Sequence, residues 1–366
     1  MNMHGVDLHK SYATISVRND SGKEVAFLPK VKDFSGYVGT LGSEDAVVLE
    51  ASSGTFFWAD RIEAQGALCI LIDAFRFRII RDSWNKTDRR DAANLSLALW
   101  FALSSGEVKL PEVYKPSPAV RELRRVFGQW QLLNKQIRQL KNQVQGVLNE
   151  SGVIDRKLGQ WLAKAPSEAK EILDKLPIPQ SSRTCILMSL RLLEALLKEK
   201  KALKGELIRV GKPFQAQVKL LMSIRGVTPL LALAFLAEVG DISRFSSLRK
   251  LYAYLGVVPS VRSSGDKTRT GHINRKSRAL ARTIFTQAIP HLVNSSPLLQ
   301  SFYRDLVNRK GFGRARVAVL RRVFGIMRRM LLSNTPYRWL ESALYEKKLR
   351  DYERDLKKID DQQEAA

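Results

Sequence analysis

The sequence predicts an α/β domain joined through a long helical arm to a basic, mostly helical domain. Three observations carry that prediction. Period-two apolar patterning is confined to the first 72 residues, three-and-four apolar spacing runs unbroken from Ala119 to Leu148, and positive charge concentrates after residue 211. At 366 residues the chain is also too long for one ordinary core.

The N-terminal elements follow in order. Residues 3–18, MHGVDLHKSYATISVR, alternate apolar and polar and read as a strand. Asp20-Ser21-Gly22 signals a turn, and Val25 to Lys30 is the returning strand. Asp45 to Glu50 reads as a short buried strand, Thr55 to Gln65 as a helix stopped at Gly66, and Ala67 to Ile72 as another strand. Beyond Asp73 the chain turns helical again, through Asp88 and Asp91 to Leu103. Strands followed by helix–strand alternation make a mixed sheet. Pro111, Pro116 and Pro118 then mark a linker. These signals set the boundaries at 1–105, a connector at 106–211, a basic domain at 212–340 and a charged tail at 341–366.

In the connector, Leu123, Val126, Trp130, Leu133, Ile137, Leu140, Val144 and Val147 form the stripe of an amphipathic, coiled-coil-like helix. A second run, Ser181 to Val210, is suited to return antiparallel to it, after the breaks at Pro177 and Pro179. Residues 218–240 read as helix, Ile-Arg-Gly-Val turn, helix. This is a helix-hairpin-helix-like element in which Arg225 and Gly226 would present charge and backbone amides to a phosphate. Residues 260–278 read as a polar, basic, glycine-punctuated loop. The chain is then helical to about Asn334, and the tail from Glu341 reads as a solvated helix.

Composition narrows the function. The formal charge is +25, and residues 212–340 hold 23 Lys and Arg against four acids, which points to a polyanion partner. Two distant cysteines, Cys69 and Cys185, argue against a disulfide framework or zinc module and fit a reducing cytoplasm. Asp7 inside a strand-like run argues against a signal peptide, and no apolar stretch approaches a membrane span. The expectation is a soluble intracellular protein.

Four acids stand out by position. Asp7 sits mid-strand, where aspartate is disfavoured, and Glu50 ends an apolar strand. Asp88 and Asp91, in KTDRRDA, share one helix face at i, i+3. Together they would suit Mg²⁺ or Mn²⁺, and two such ions about 4 Å apart can drive phosphodiester chemistry. Singly, Asp7 or Glu50 would be a hydrogen-bonded buried acid. Asp88 and Asp91 would pair with Lys86, Arg89 or Arg90 on an exposed helix. Asp73 and Asp82 stay open as further ligands.

GVDLHK, VVLEAS and KTDRRDA, in that order, resemble the DEDD insertion-sequence transposases. The resemblance implies a RuvC-like, RNase H-like N-terminal domain with Asp7, Glu50, Asp88 and Asp91 as its metal-binding acids. The segment LYAYLGVVPSVRSSGDKTRTGHI resembles the C-terminal domain of the same family, whose Ser-Gly serine becomes joined to DNA. That maps onto Ser264, with Ser263 as the neighbouring alternative. A serine hydroxyl needs activation, and Arg262, Lys267 and Arg269 are cations placed to stabilise developing phosphate charge. Arg275, Lys276, Arg278 and Arg282 extend the nucleic-acid-binding set. One departure is Ser277-Arg278, where the family often has Gly-Asn. The resemblance further implies donor and target DNA, a structured bridge RNA as guide, and a composite site in a dimer or tetramer. Two other functions stay open: a structure-selective nuclease using water as nucleophile, and a non-catalytic nucleic-acid-binding protein.

Overall fold

The period-two patterning becomes a five-stranded sheet of β1 (Asn2–Leu8), β2 (Ala13–Arg18), β3 (Glu24–Val31), β4 (Asp45–Glu50) and β5 (Leu68–Ile72). The computed structural model describes residues 1–73, 75–77, 87–106, 109–264, 267–273 and 279–364. Two units result, Met1–Lys115 and Pro116–Ala366.

In the first unit the strand order is β3-β2-β1-β4-β5. The first three strands form an antiparallel meander, whereas β4 pairs parallel with both β1 and β5. Alternation along β4 divides the core between the two faces of the sheet. Val47 and Leu49 pack with α1 (Phe34–Gly39) and α2 (Thr55–Ala64), while Ala46 and Val48 pack with α3 (Asp88–Ser105). Each fully buried aliphatic side chain contributes about 1.5–3 kcal/mol, so a one-residue slip in register would be heavily penalised.

Helix α3 lies against β1 at Gly5, where a Cβ would fall 2.2 Å from both Ala92 O and Ser96 N. A side chain there would lift the helix off the sheet. The contact is fixed laterally by Ser16 Oγ, 2.9 Å from Ser96 Oγ, and by Arg18 Nε donating to Ser96 Oγ at 3.1 Å.

The second unit begins with the predicted arm, α4 (Pro118–Glu150), capped at Ser117. Two short helices, α5 (Arg156–Leu162) and α6 (Ala169–Lys175), lead to α7 (Gln180–Val210). Ile137, Val144 and Leu148 share a cluster with Ile186, Leu190 and Leu193, while Leu123 and Phe127 share one with Leu207 and Ile208. Late residues of one helix thus meet early residues of the other, and the pair is antiparallel, as the sequence suggested.

The remainder comprises α8 (Gln215–Met222), α9 (Pro229–Val239), α10 (Leu248–Tyr254), β6 (Pro259–Ser264), β7 (Lys267–Ile273), α11 (Leu280–Val293), α12 (Pro297–Ser333) and α13 (Ser342–Glu364). Helix α9 is buried nearly all round. Arg124 of α4 donates to its terminal carbonyls, Ala237 O at 2.7 Å and Glu238 O at 3.0 Å, where the helix dipole favours a cation. The buried Glu238 carboxylate accepts from Ala281 N at the start of α11.

Three expectations need correction. Residues 3–18 are not one strand: the chain turns at residues 9–12, and β1 and β2 pair antiparallel with Leu8 opposite Ala13. Residues 260–278 are not simply a loop, because β6 and β7 pair antiparallel with Ser264 opposite Lys267. The β-branched Val261, Thr268 and Thr270 favour extended backbone that the glycine and charge content obscured. Nor is the tail a solvated helix: Tyr352 and Leu356 of α13 belong to the main hydrophobic cluster. Lys348 of the same helix donates to the carbonyls of Met222, Ile224 and Val227, closing the α8–α9 turn.

No described helix is long and apolar enough to cross a membrane.

Candidate active site and nucleic-acid interface

Asp7 stands near the end of β1, and the parallel register carries Val6 opposite Leu49 of β4. Glu50, one step further along β4, therefore ends its strand at the same edge of the sheet. The backbone beyond it is held by the buried Thr55, whose hydroxyl donates to Glu50 O at 3.1 Å and accepts from Ser52 N at 2.9 Å. Asp88 and Asp91 occupy the first turn of α3, capped by Thr87, where the helix dipole favours acids.

These elements bring Asp7 and Asp88 together around a histidine. His9 Nε2 lies 3.2 Å from Asp7 Oδ2 and 3.5 Å from Asp88 Oδ2, and ligand atoms of all three residues lie within 4.8 Å of one another. Tyr12 OH donates to Asp88 Oδ2 at 3.0 Å. The turn holding His9 and Tyr12 is fixed by His9 N donating to Tyr12 O at 2.9 Å. Burial pushes the Asp7 carboxyl above its ordinary range. His9 opposes that rise, whereas the charges of Asp88 and Asp91 add to it. The Asp88 hydrogen bond is the main cause holding the Tyr12 phenol above its ordinary value, and burial adds to it.

Two arginines, Arg89 and Arg90, stand between the acids of KTDRRDA. Arg89 turns away to Glu24 at 3.7 Å and stacks over Phe27, its guanidinium carbon 4.4 Å from the ring centroid. Reading the sequence missed His9 and Tyr12. A histidine two residues after a strand aspartate was the available signal, although the same pattern is common in solvated turns. Asp82, an open alternative, lies outside the described residues, and Asp73 instead caps its own turn by accepting from Phe75 N.

The second unit presents the other predicted residues. Ser263 and Ser264 are the last residues of β6, with Ser263 opposite Thr268 and Ser264 opposite Lys267, and Arg262 opposite Arg269. Their side chains lie outside what the structure describes, and Arg275, Lys276 and Arg278 lie outside the described residues altogether.

Matches to known proteins bear on the assignment at this point. Residues 218–304 match the model of the "Transposase IS116/IS110/IS902 family", a segment holding the α8–α9 turn, the β6–β7 hairpin and α11. The chain is 27% identical over 349 residues to "Transposase for insertion sequence element IS1111A" of Coxiella burnetii, covering 91% of this chain and 90% of that one. It is 24% identical over 302 residues to a "Probable family 20 transposase" of Pseudomonas aeruginosa, covering 80% and 85%.

Over most of its length the chain is similar to insertion-sequence transposases.

Within this chain, several predicted nucleic-acid contacts already have protein partners. Arg225 pairs with Glu341 at 2.7 Å, and Arg282 Nη1 donates to Gly256 O at 2.6 Å. Gly226 has φ +84 and backs onto His291, whose backbone would lie 2.9 Å from a Cβ. Outside the predicted set, Arg328 donates to Phe245 O at 2.8 Å. Part of the basic surplus thus stitches helices and loops together.

Proposed function

We propose that this chain cuts and rejoins DNA through Ser264, assisted by the acidic site of an RNase H-like N-terminal domain. The strand order β3-β2-β1-β4-β5, three antiparallel and two added in parallel, supports that fold. The observation that carries the reading is the convergence of Asp7 and Asp88 at the end of β1, with Asp91 acting on Asp7 electrostatically.

The donor set fits a hard divalent cation. It consists of carboxylates crowded together, and burial and mutual repulsion raise Asp7 in the absence of a positive charge. Asp7, Glu50, Asp88 and Asp91 would hold Mg²⁺ or Mn²⁺, whose chemistry there is Lewis-acid polarisation of phosphate oxygens. His9 lies against Asp7 and Asp88 and orients both carboxylates.

In the proposed reaction the Ser264 oxygen attacks a phosphodiester phosphorus. A phosphoserine ester forms, the bond to the 3′ oxygen breaks, and the serine proton is lost as the departing oxygen gains one. A second DNA 3′ hydroxyl then reverses the exchange, so bond energy is conserved and no nucleotide triphosphate is needed. Arg262, Lys267 and Arg269 flank Ser264 on the hairpin, a placement suited to stabilising phosphate charge. The basic surplus supports binding to donor and target DNA and to a structured guide RNA. We extend the reading to a dimer or tetramer with a composite site.

A denaturing gel with Mg²⁺, the candidate guide RNA and end-labelled DNA carrying the element's ends tests the reading. Wild type should form a covalent protein–DNA adduct, whereas Ser264→Ala and Asp7→Ala should not. Cleavage without adduct, retained by Ser264→Ala, would instead favour a water-using nuclease. The acidic cluster lies wholly inside one unit, which gives that second reading its footing.

A further inference from the structure

The helical unit carries a surface trough between the start of α12 and residues 335–341. It comprises two adjoining cavities of about 360 and 570 Å³ that share Ser296, Arg338 and Trp339. We propose that this trough binds one unstacked nucleotide of a single DNA or RNA strand, the base lying on Trp339 and the flanking phosphates held by Arg322, Arg329 and Arg338. The proposal rests on the reading of this chain as a nucleic-acid enzyme and adds a binding site to it.

Three features point to that ligand. The first is the wall. Trp339 is 42% exposed and Leu298 56% exposed, so two large apolar side chains face solvent across one groove. Apolar groups of this size are ordinarily covered, and the flat face of an indole is a platform for any base. The Arg338 guanidinium carbon already sits 5.3 Å from the Trp339 ring centroid, an arrangement that extends the stacking surface.

The second feature is charge. Arg322, Arg329 and Arg338 line the first cavity, and among the described residues no acid does. The second cavity includes one acid, Glu341, whose charge is matched by Arg225 at 2.7 Å. Arg322 is pinned over Phe302, its guanidinium carbon 3.6 Å from the ring centroid, so the edge of that fork is held in place at low entropic cost. Three arginines beside an aromatic platform suit a ligand that alternates anionic and flat apolar parts. A nucleotide strand has that composition, whereas an acidic peptide would use the arginines and leave the indole idle.

The third feature lies at the floor. Ser295 lines the second cavity and is only 4% exposed, and its hydroxyl has no hydrogen-bond partner among the described residues. An unmatched buried hydroxyl is uncommon and unfavourable. The polar edge of a base, or a sugar hydroxyl, supplies the missing partner. Its neighbour Ser296 is differently employed, because its hydroxyl accepts from Leu299 N at 3.1 Å as the cap of α12. A paired duplex keeps its bases stacked inside, so the platform selects single strands and extruded bases.

Fluorescence anisotropy of the full-length protein with labelled strands of about ten nucleotides, DNA and RNA of one sequence, across a salt series tests this. Trp339→Ala should weaken binding about tenfold or more with the salt slope unchanged, because stacking releases no counterions. Trp339→Phe should recover most of the loss. Arg338→Ala should lower the salt slope by about one. The DNA and RNA arms identify the natural strand by which of them loses more. Wild-type affinity in Trp339→Ala for both strands overturns the proposal, and so does an equal loss for fully paired duplex. If wild type binds no nucleic acid at all, the broader functional reading falls and takes this site with it.

Discussion

Replacing Gly5 with alanine tests whether the sheet–helix contact sets the acidic site. The new methyl carbon would lie 2.2 Å from Ala92 O, 2.2 Å from Ser96 N and 2.9 Å from Leu95 Cβ. Carbon meets such atoms comfortably at about 3.5 Å, so α3 must retreat from β1 by on the order of 1 Å. The two nearest obstacles are backbone atoms of a helix, and no side-chain rotation relieves them. Overpacking of this kind costs about 1–3 kcal/mol, and the upper end applies here. A domain of ordinary stability, about 5–15 kcal/mol, survives that loss. The functional loss should be larger in proportion. Asp7 rides on β1 while Asp88 and Asp91 ride on α3, and a displacement of about 1 Å between reacting groups can reduce a rate about 100-fold. Urea unfolding of the full chain gives the stability change, and adduct yield on end-labelled DNA gives the activity. Gly39→Ala is the matched control, because nothing lies within 4 Å of a Cβ there. A Gly5→Ala protein within about 0.5 kcal/mol of wild type, with unaltered adduct yield, would refute the reasoning.

Two further predictions concern the scaffold. Lys348→Met strips the carbonyls of Met222, Ile224 and Val227 of a shared charged donor, and should cost about 2–4 kcal/mol. A urea midpoint indistinguishable from wild type would show that the α8–α9 turn stands without the tail helix. His4, buried between Tyr37 OH at 2.6 Å and Asp45 Oδ1 at 3.1 Å, is held below its ordinary 6.5, burial outweighing the carboxylate. The folded state then binds fewer protons than the unfolded chain. Stability from this group is complete above about pH 6.5 and declines as pH falls below it. His4→Gln should flatten the stability–pH curve in that interval, and an unchanged slope would count against the assignment.

Much of the N-terminal architecture was legible because its signals are local. Alternation in residues 3–18 and in the AVVLE run marks extended chain, although in the first run it hid the turn at residues 9–12 that separates β1 from β2. An aspartate inside such a run announces that something compensates for it. Asp88 and Asp91 were legible as a pair because helical spacing alone gives them one face. His9 and Tyr12 were not, since a polar turn residue reads the same whether it faces water or a carboxylate. The tail misled for a related reason. Tyr345, Tyr352, Leu356 and Ile359 are few among many charges, yet their spacings of seven, four and three keep them on one face of α13. Buried area depends on that geometry, and a charge count does not register it. Arg225 and Arg282 illustrate the converse difficulty. Composition marked them for a polyanion, while their partners, Glu341 and the Gly256 carbonyl, lie far away in sequence.

The parallel pairing of β1 with β4 has a consequence for how such a chain can vary. Strand register acts as a ruler that ignores contour length, so Asp7 and Glu50 finish at the same rim however much chain intervenes. The turn between β2 and β3, residues 19–23, and the approach to β4, residues 40–44, both sit at the opposite rim. Loop lengthening costs little, about 0.6 kcal/mol for each doubling. Insertions at that opposite rim can therefore reshape a whole edge of the domain, and acquire new contacts, while the acids keep their spacing.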